Sequence, residues 1–307
     1  MVERKIVAGT RGSTLALAQT NLVLRLLKQV HAHERIAFET RVIKTAGDDP
    51  RGKRGNTLTG KDAFTGAIDD ALRRGEIDFA VHSLKDVPVE GLSKKIQLSA
   101  FPKRGSPFDV LISRDRRTDL YSLPTSAKVG TSSVRRTMQL RAFRPDLKVV
   151  KIHGNVPTRI RKIRENKELD AVVLAEAGLS RLRLLSQIDQ VIPKEIMLPA
   201  VGQGCLAVAV RADDDDTNRF VSRIDDKRTR KCVNAERSFS ERLGGGCNLP
   251  IAALAVIKGY KNLRIEGLVA AGIGGENLVI RDSIEGDSEN GHELGRELAS
   301  RLKEAAG

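Results

Sequence analysis

Short β-branched runs, each followed by a small, hydroxyl-rich turn and then a helical pattern, constrain this chain more than any other feature. Lys5 to Thr10 reads as a strand and Arg11-Gly12-Ser13 as its turn. Leu15, Leu22, Leu26 and Val30 then recur near helical spacing, with Ser13 placed as the N-cap. Phe38 to Thr45 reads as a second strand, Ala63 to Arg74 as a helix and Asp78 to Ser83 as a third strand. Gly47 to Lys61, polar and glycine-rich, is expected as a loop. This succession predicts α/β layers.

Pro102-Lys103-Arg104-Gly105-Ser106-Pro107 has linker composition, and the rhythm restarts after it. Val110 to Ser113, Lys128 to Gly130, Lys148 to Ile152 and Asp170 to Ala175 read as strands. Ser132 to Phe143 and Val156 to Asn166 read as helices, and Cys205 to Val210 as a buried strand. One long helix is expected from Thr217 to Leu243. Strands near Ile251 to Ile257, Leu263 to Val269 and Leu278 to Asp282 follow, then a helix from His292 to Lys303, as in a small α+β domain. The two similar halves before residue 200 suit two α/β lobes facing each other across a ligand cleft.

The net charge of +14, from 53 Lys and Arg against 39 Asp and Glu, points to an anionic partner. Nucleic acid is disfavoured, because aromatic residues make up 3% of the chain, Trp is absent and the basic residues are scattered among acids. No apolar run reaches the length of a membrane span and the start does not resemble a leader, so the expectation is a cytoplasmic protein without a membrane partner. The three cysteines, Cys205, Cys232 and Cys247, form no Cys-x-x-Cys pair and no cluster with His. Neither a disulfide framework nor a metal site is expected.

The turns carry the chemistry. Arg11-Gly12-Ser13 places a guanidinium beside the free N–H groups of a helix start, a favourable place for an anion; an ordinary N-cap with a surface Arg is the alternative. Ser132-Ser133-Val134-Arg135-Arg136 puts two arginines in a first helical turn, where the dipole disfavours them unless an anion is nearby. Gly154-Asn155-Val156-Pro157-Thr158-Arg159 repeats the pattern. His82-Ser83-Leu84-Lys85-Asp86 ends a strand, with Lys85 and Asp86 expected to project in opposite directions. A carboxylate there can steer a proton or stabilise a cation, or simply serve a salt-bridged loop. By itself His82 reads as structural. Gly244-Gly245-Gly246-Cys247 exposes a thiol in a flexible turn, or is a glycine turn that happens to hold a Cys.

Together, His82-Ser83-Leu84-Lys85-Asp86-Val87-Pro88, Val129-Gly130-Thr131-Ser132-Ser133-Val134-Arg135-Arg136, Leu198-Pro199-Ala200-Val201-Gly202-Gln203-Gly204 and Gly245-Gly246-Cys247 resemble the porphobilinogen deaminase (hydroxymethylbilane synthase) family, in its order and at about its spacing. The resemblance implies an α/β protein of three domains: two lobes like those of periplasmic binding proteins, residues 1–102 with 202–219 and residues 103–201, and an α+β domain, residues 220–307. It implies a monomeric, deaminating transferase that joins four porphobilinogen molecules into hydroxymethylbilane. The primer would be a dipyrromethane cofactor, thioether-linked to Cys247. Asp86 matches the catalytic carboxylate facing the pyrrole nitrogens. Arg11, Ser13, Lys85, Ser133, Arg135, Arg136, Arg159 and Arg181 match positions that hold cofactor and substrate carboxylates. Lys61 and Phe64 match an active-site lid.

The chain departs from the family pattern in places. His153 stands where the family usually has Arg, and imidazole is a weaker carboxylate clamp. Pro157 replaces a usual Gly, Thr59 to Phe64 departs from the lid motif, and Arg11-Gly12-Ser13-Thr14 replaces Arg-Gln-Ser-Pro. Two other readings share the same features: a noncatalytic anion-binding module, which needs no Cys247 loop, and a nucleic-acid binder, which predicts salt-sensitive binding.

Overall fold

The computed structural model describes residues 4–44, 62–89, 93–116, 118–165, 169–245, 250–273 and 276–306. Its elements, in chain order, are β1 (Arg4–Thr10), α1 (Thr14–Val30), β2 (Ile36–Val42), α2 (Asp62–Arg73), β3 (Phe79–Ser83), β4 (Ile96–Ala100), β5 (Asp109–Ser113), β6 (Lys128–Gly130), α3 (Val134–Phe143), β7 (Lys148–Val150), α4 (Val156–Glu165), β8 (Ala171–Ala175), α5 (Glu176–Arg181), β9 (Gln190–Val191), β10 (Leu206–Arg211), α6 (Asp215–Ser222), α7 (Lys227–Arg242), β11 (Ile251–Lys258), β12 (Asn262–Ile273), β13 (Glu276–Asp287) and α8 (Gly291–Ala305).

The chain divides into two compact units, residues 1–104 with 205–230 and residues 105–204 with 231–307. The first is built on a five-stranded sheet of order β2-β1-β3-β10-β4. β1 runs parallel to β2 and β3, while β10 runs antiparallel to β3 and β4. Period-2 alternation explains why both faces are covered. Phe79, Val81, Val208 and Val210 pack on one side with Val23 and Leu27 of α1. Ala80 and Ala209 pack on the other with Ile68, Ala71 and Leu72 of α2.

The second unit repeats the plan. Its sheet runs β7-β6-β8-β5-β9, again three parallel strands, then an antiparallel strand and an antiparallel edge. Leu111, Val129, Ala171 and Val173 face one core, and Val110, Ile112, Val172 and Leu174 the other. The same unit holds a three-stranded antiparallel meander, β11-β12-β13. One face of the meander buries Ala253, Ala255 and Ile265 against Phe239 of α7 and Leu298 of α8. The other face packs Ala252, Leu254 and Leu268 on Met138 of α3 and on Leu198. Mixed α/β architecture with a separate C-terminal α+β layer is therefore the fold.

The single helix expected from Thr217 to Leu243 is broken at Arg223 to Asp226. Asp225 accepts a hydrogen bond from Phe101 N (2.7 Å) and pairs with Arg230 (2.7 Å). Asp226 starts a new helix by accepting from Thr229 N (2.7 Å). Phe220, Val221 and Ile224 join the first core, which keeps the chain in the first unit as far as Arg230.

Candidate functional site

The parallel strands β1 and β3 end side by side, and the residues just beyond them line a pocket of about 90 Å³. Arg11 and Ser13 come from the turn after β1, Gln19 from α1, and His82, Ser83 and Asp86 from the end of β3. The Ser13 hydroxyl accepts from Ala16 N (3.2 Å), which makes it the N-cap of α1. Asp86 does not continue the strand. Residues Leu84–Asp86 form a 3-10 turn, held by Leu84 N donating to Cys205 O (3.1 Å) and Val87 N donating to Leu84 O (3.0 Å). The expectation that Lys85 and Asp86 alternate across a strand is thus corrected. Buried Leu84 and Val87 anchor the turn, leaving Lys85 half-buried and Asp86 exposed at the pocket. Gln19 Nε2 donates to the Ser83 hydroxyl (2.7 Å) across the pocket floor.

Burial, assisted by the Arg11 charge, pushes the His82 imidazole down to about 4, so it is neutral at pH 7. An ordinary His titrates near 6.5. Between those two values the unfolded chain binds a proton that the folded chain refuses, so this group makes stability rise with pH through the window and adds no slope above it. Across the full window the difference is about 3 kcal/mol. Urea titrations between pH 7 and pH 4.5 are expected to show a steeper loss of stability on acidification in the wild type than in His82→Leu. Equal slopes would refute the buried neutral state.

In the second unit the corresponding turn leads from β6 into α3. The Ser133 hydroxyl accepts from Arg136 N (3.4 Å) as N-cap, and Ser132 Oγ donates to Ile152 O (2.7 Å). The anion that Arg135 and Arg136 call for is supplied by the chain itself. Asp109, 0% exposed on β5, accepts from Arg135 Nη2 (2.7 Å) and from Arg136 Nε (3.0 Å) and Nη2 (2.7 Å). Arg136 Nη1 donates to Val173 O (2.9 Å) and Arg135 Nη1 to Leu198 O (2.6 Å). Every nitrogen of the Arg136 guanidinium is therefore used internally. Burial pushes the Arg135 pKa down, against the pull of Asp109. Removing one member of such a buried set typically costs about 3–5 kcal/mol.

Gln203 completes the cluster, its side-chain amide donating to Asp109 Oδ1 (3.1 Å) and Pro107 O (2.6 Å). Arg181 Nη2 donates to Gly204 O (2.6 Å). Gly204 has φ +86°, and a Cβ there would lie 2.6 Å from Gly105 O, so only glycine fits. Arg159 Nε donates to Gly154 O (2.8 Å), and its pKa is lowered by burial and then by Arg136. His153 is exposed, and its carbonyl accepts from Lys162 Nζ (3.1 Å).

Arg11, Ser13 and Asp86 thus share one pocket; Arg135 and Arg136 share one carboxylate; Arg181 and Arg159 lie against main-chain oxygens. Sequence reasoning missed Asp109 and Gln203. The available signal was an acid inside the apolar run Phe108 to Ile112, which only a buried partner can explain. Cys247, Lys61 and the loop from Gly47 to Lys61 lie outside the described residues, as does the side chain of Phe64, whose backbone belongs to α2. The other two cysteines, Cys205 and Cys232, are buried. Among the described residues no group of three or more His, Cys, Asp or Glu side chains could hold a metal ion. No helix among them is long and apolar enough to cross a membrane.

Residues 6–219 match the family model for porphobilinogen deaminase, dipyromethane cofactor binding domain, and residues 230–304 match that for porphobilinogen deaminase, C-terminal domain. This chain belongs to the porphobilinogen deaminase family. The porphobilinogen deaminase of Syntrophus aciditrophicus is 45% identical to it over 97% of this chain and 95% of that one. The porphobilinogen deaminase of a Roseiflexus species is 41% identical over 100% of this chain and 98% of that one. Among solved structures, a Salmonella typhimurium periplasmic binding protein of high arginine specificity aligns over 74% of this chain and 94% of its own, at 14% identity and TM-score 0.42. In the family's terms, the first matched segment spans both five-stranded sheets and the second spans the meander with α7 and α8.

Proposed function

We propose that this protein joins four porphobilinogen molecules head to tail into hydroxymethylbilane, primed on a dipyrromethane thioether-linked to Cys247. At each addition a C–N bond breaks and ammonia leaves. A C–C bond forms between the freed methylene and the unsubstituted pyrrole carbon of the neighbouring unit, and that carbon loses its proton. Water enters only at release, to give the hydroxymethyl end. The observation that carries the reading is the pocket at the ends of β1 and β3, where a carboxylate, Asp86, stands with a guanidinium, Arg11, at a helix N-terminus. Porphobilinogen offers that pair one carboxylate for the cation and one nitrogen-centred group for the anion.

The residues present fit a covalently held polycarboxylate. Arg11, Ser13 and the N-terminus of α1 form an anion seat, and buried His82 leaves Nε2 without a hydrogen-bond partner beside it. When bound, the dipyrromethane supplies a primer with a free nucleophilic pyrrole carbon. Arg11, Ser13 and Lys85 hold carboxylates in the first unit. Ser133, Arg135, Arg159, His153 and Arg181 are the corresponding groups in the second. Arg136, saturated by Asp109 and Val173, acts there by fixing its neighbour rather than by reaching ligand. Asp86 assists departure of ammonia, stabilises the cation left behind and steadies the incoming pyrrole N–H. Lys61 and Phe64 belong to the lid. The proposal includes a monomeric cytoplasmic enzyme that needs neither metal nor nucleic acid.

The test is to incubate the purified protein with porphobilinogen and follow both products. One ammonia per porphobilinogen consumed, with a linear tetrapyrrole in solution, is expected. Porphobilinogen that binds and is recovered unchanged would support the noncatalytic binding module instead.

A further inference from the structure

His82 lies on β3 with 6% of its surface exposed, and its Nε2, fully buried, has no hydrogen-bond partner. Buried polar atoms are nearly always satisfied, so an unsatisfied one in a native fold calls for a cause. Two facts bear on that cause. First, His82 lines the pocket that also holds Arg11, Ser13 and Asp86. Second, the two serine hydroxyls of the pocket have settled positions. The Ser13 hydroxyl caps α1, and the Ser83 hydroxyl receives Gln19 Nε2. Neither hydroxyl bonds to His82, so a molecule drawn into the pocket, water or ligand, is the remaining source of a partner.

Which way the bond runs follows from chemistry. The imidazole is neutral, because burial and the Arg11 charge oppose a second ring proton. A neutral ring presents one N–H and one lone pair. A lone pair at Nε2, beside a guanidinium, would compete with the ligand for the cation's own donors. An N–H at Nε2 instead supplies a second donor near the guanidinium that attracts an anion. The pocket also sits at a helix N-terminus, which favours an anion at the same place.

We propose that His82 is a ligand-binding residue whose Nε2–H donates a hydrogen bond to a ligand carboxylate seated at Arg11 and Ser13. The identity of that ligand as porphobilinogen, or as the pyrrole chain built from it, rests on the proposed function; the carboxylate class does not. The role needs no change of charge. It adds to the site a neutral donor on a buried side chain of β3, which complements the charge of Arg11 without adding a second cation.

The experiment is a nitrogen NMR titration of the wild-type protein labelled at its histidines, with porphobilinogen and separately with propionate. The expected result is a His82 Nε2 that carries the proton in the neutral ring and whose resonance moves on saturation with either probe. An Nε2 that lacks the proton, or that is indifferent to both probes, overturns the proposal. Steady-state kinetics add a second readout. His82→Leu is expected to raise KM for porphobilinogen about tenfold, the usual effect of losing a hydrogen bond to a charged group, and His82→Gln to recover most of it. A KM unchanged in His82→Leu would show a core histidine only. If the leucine variant does not fold, the wild-type titration decides alone. If porphobilinogen is neither bound nor consumed while propionate still moves Nε2, the functional reading fails and the His82 assignment stands.

Discussion

Asp86→Asn is expected to lower turnover about 10³-fold while leaving the fold and any group on Cys247 in place. The size follows from what the side chain is asked to supply. A positioned proton-transfer group typically contributes about 10²–10⁴-fold, and a charge set against a developing ion about as much. Asparagine keeps the shape of Asp86 and removes both. Little stability is at stake, since Asp86 is exposed and the turn that presents it is anchored by Leu84 and Val87 instead. Such surface changes usually stay within about 0.5 kcal/mol. Three measurements make the check: rate of ammonia release, melting temperature and intact mass. Full activity in the variant would remove Asp86 from the mechanism. A large fall in melting temperature would reassign it to the fold.

The second large effect concerns Cys247. Wild-type protein purified from a haem-making host is expected to carry the added mass of two linked pyrroles, and Cys247→Ser to carry none and to be inactive. The structure narrows the alternatives. Cys205 is 1% exposed just ahead of β10 and Cys232 is 8% exposed against the meander, so neither thiol is accessible for attachment. A serine hydroxyl is a far weaker nucleophile than a thiolate at neutral pH, which is why a conservative change is expected to be complete in effect. An unmodified wild-type mass, or an unchanged mass shift in Cys247→Ser, would count decisively against the proposed cofactor linkage.

What could be read ahead of the structure divides along a physical line. Local chemistry was legible. Ser13 and Ser133 cap the helices they precede, because an N-cap is decided by a hydroxyl and the next three residues. The strand alternation of Val110 to Ser113 and Ala171 to Ala175 is equally local. Features set by distant partners were not. The helix break at Arg223 to Asp226 depends on Asp225 reaching Phe101, more than a hundred positions away. The edge strand β9, two residues long, carries too few residues for a period to register. The two arginines of α3 were correctly seen to need an anion, but that anion lay at Asp109, 26 positions upstream of Arg135. His82 reads as an ordinary strand residue until its burial and its missing partner are visible together.

The Asp109 cluster has a consequence for how this family can change over time. Two guanidiniums from α3 and an amide from the Gly202–Gly204 turn converge on one buried carboxylate of β5. No member can be exchanged alone without stranding the others in a dry interior. Asp109, Arg135, Arg136 and Gln203 therefore behave as one heritable unit, open to drift only through coordinated replacement. His153 and Pro157, exposed in the same unit, are not tied to it by these hydrogen bonds, so a change there leaves the cluster intact.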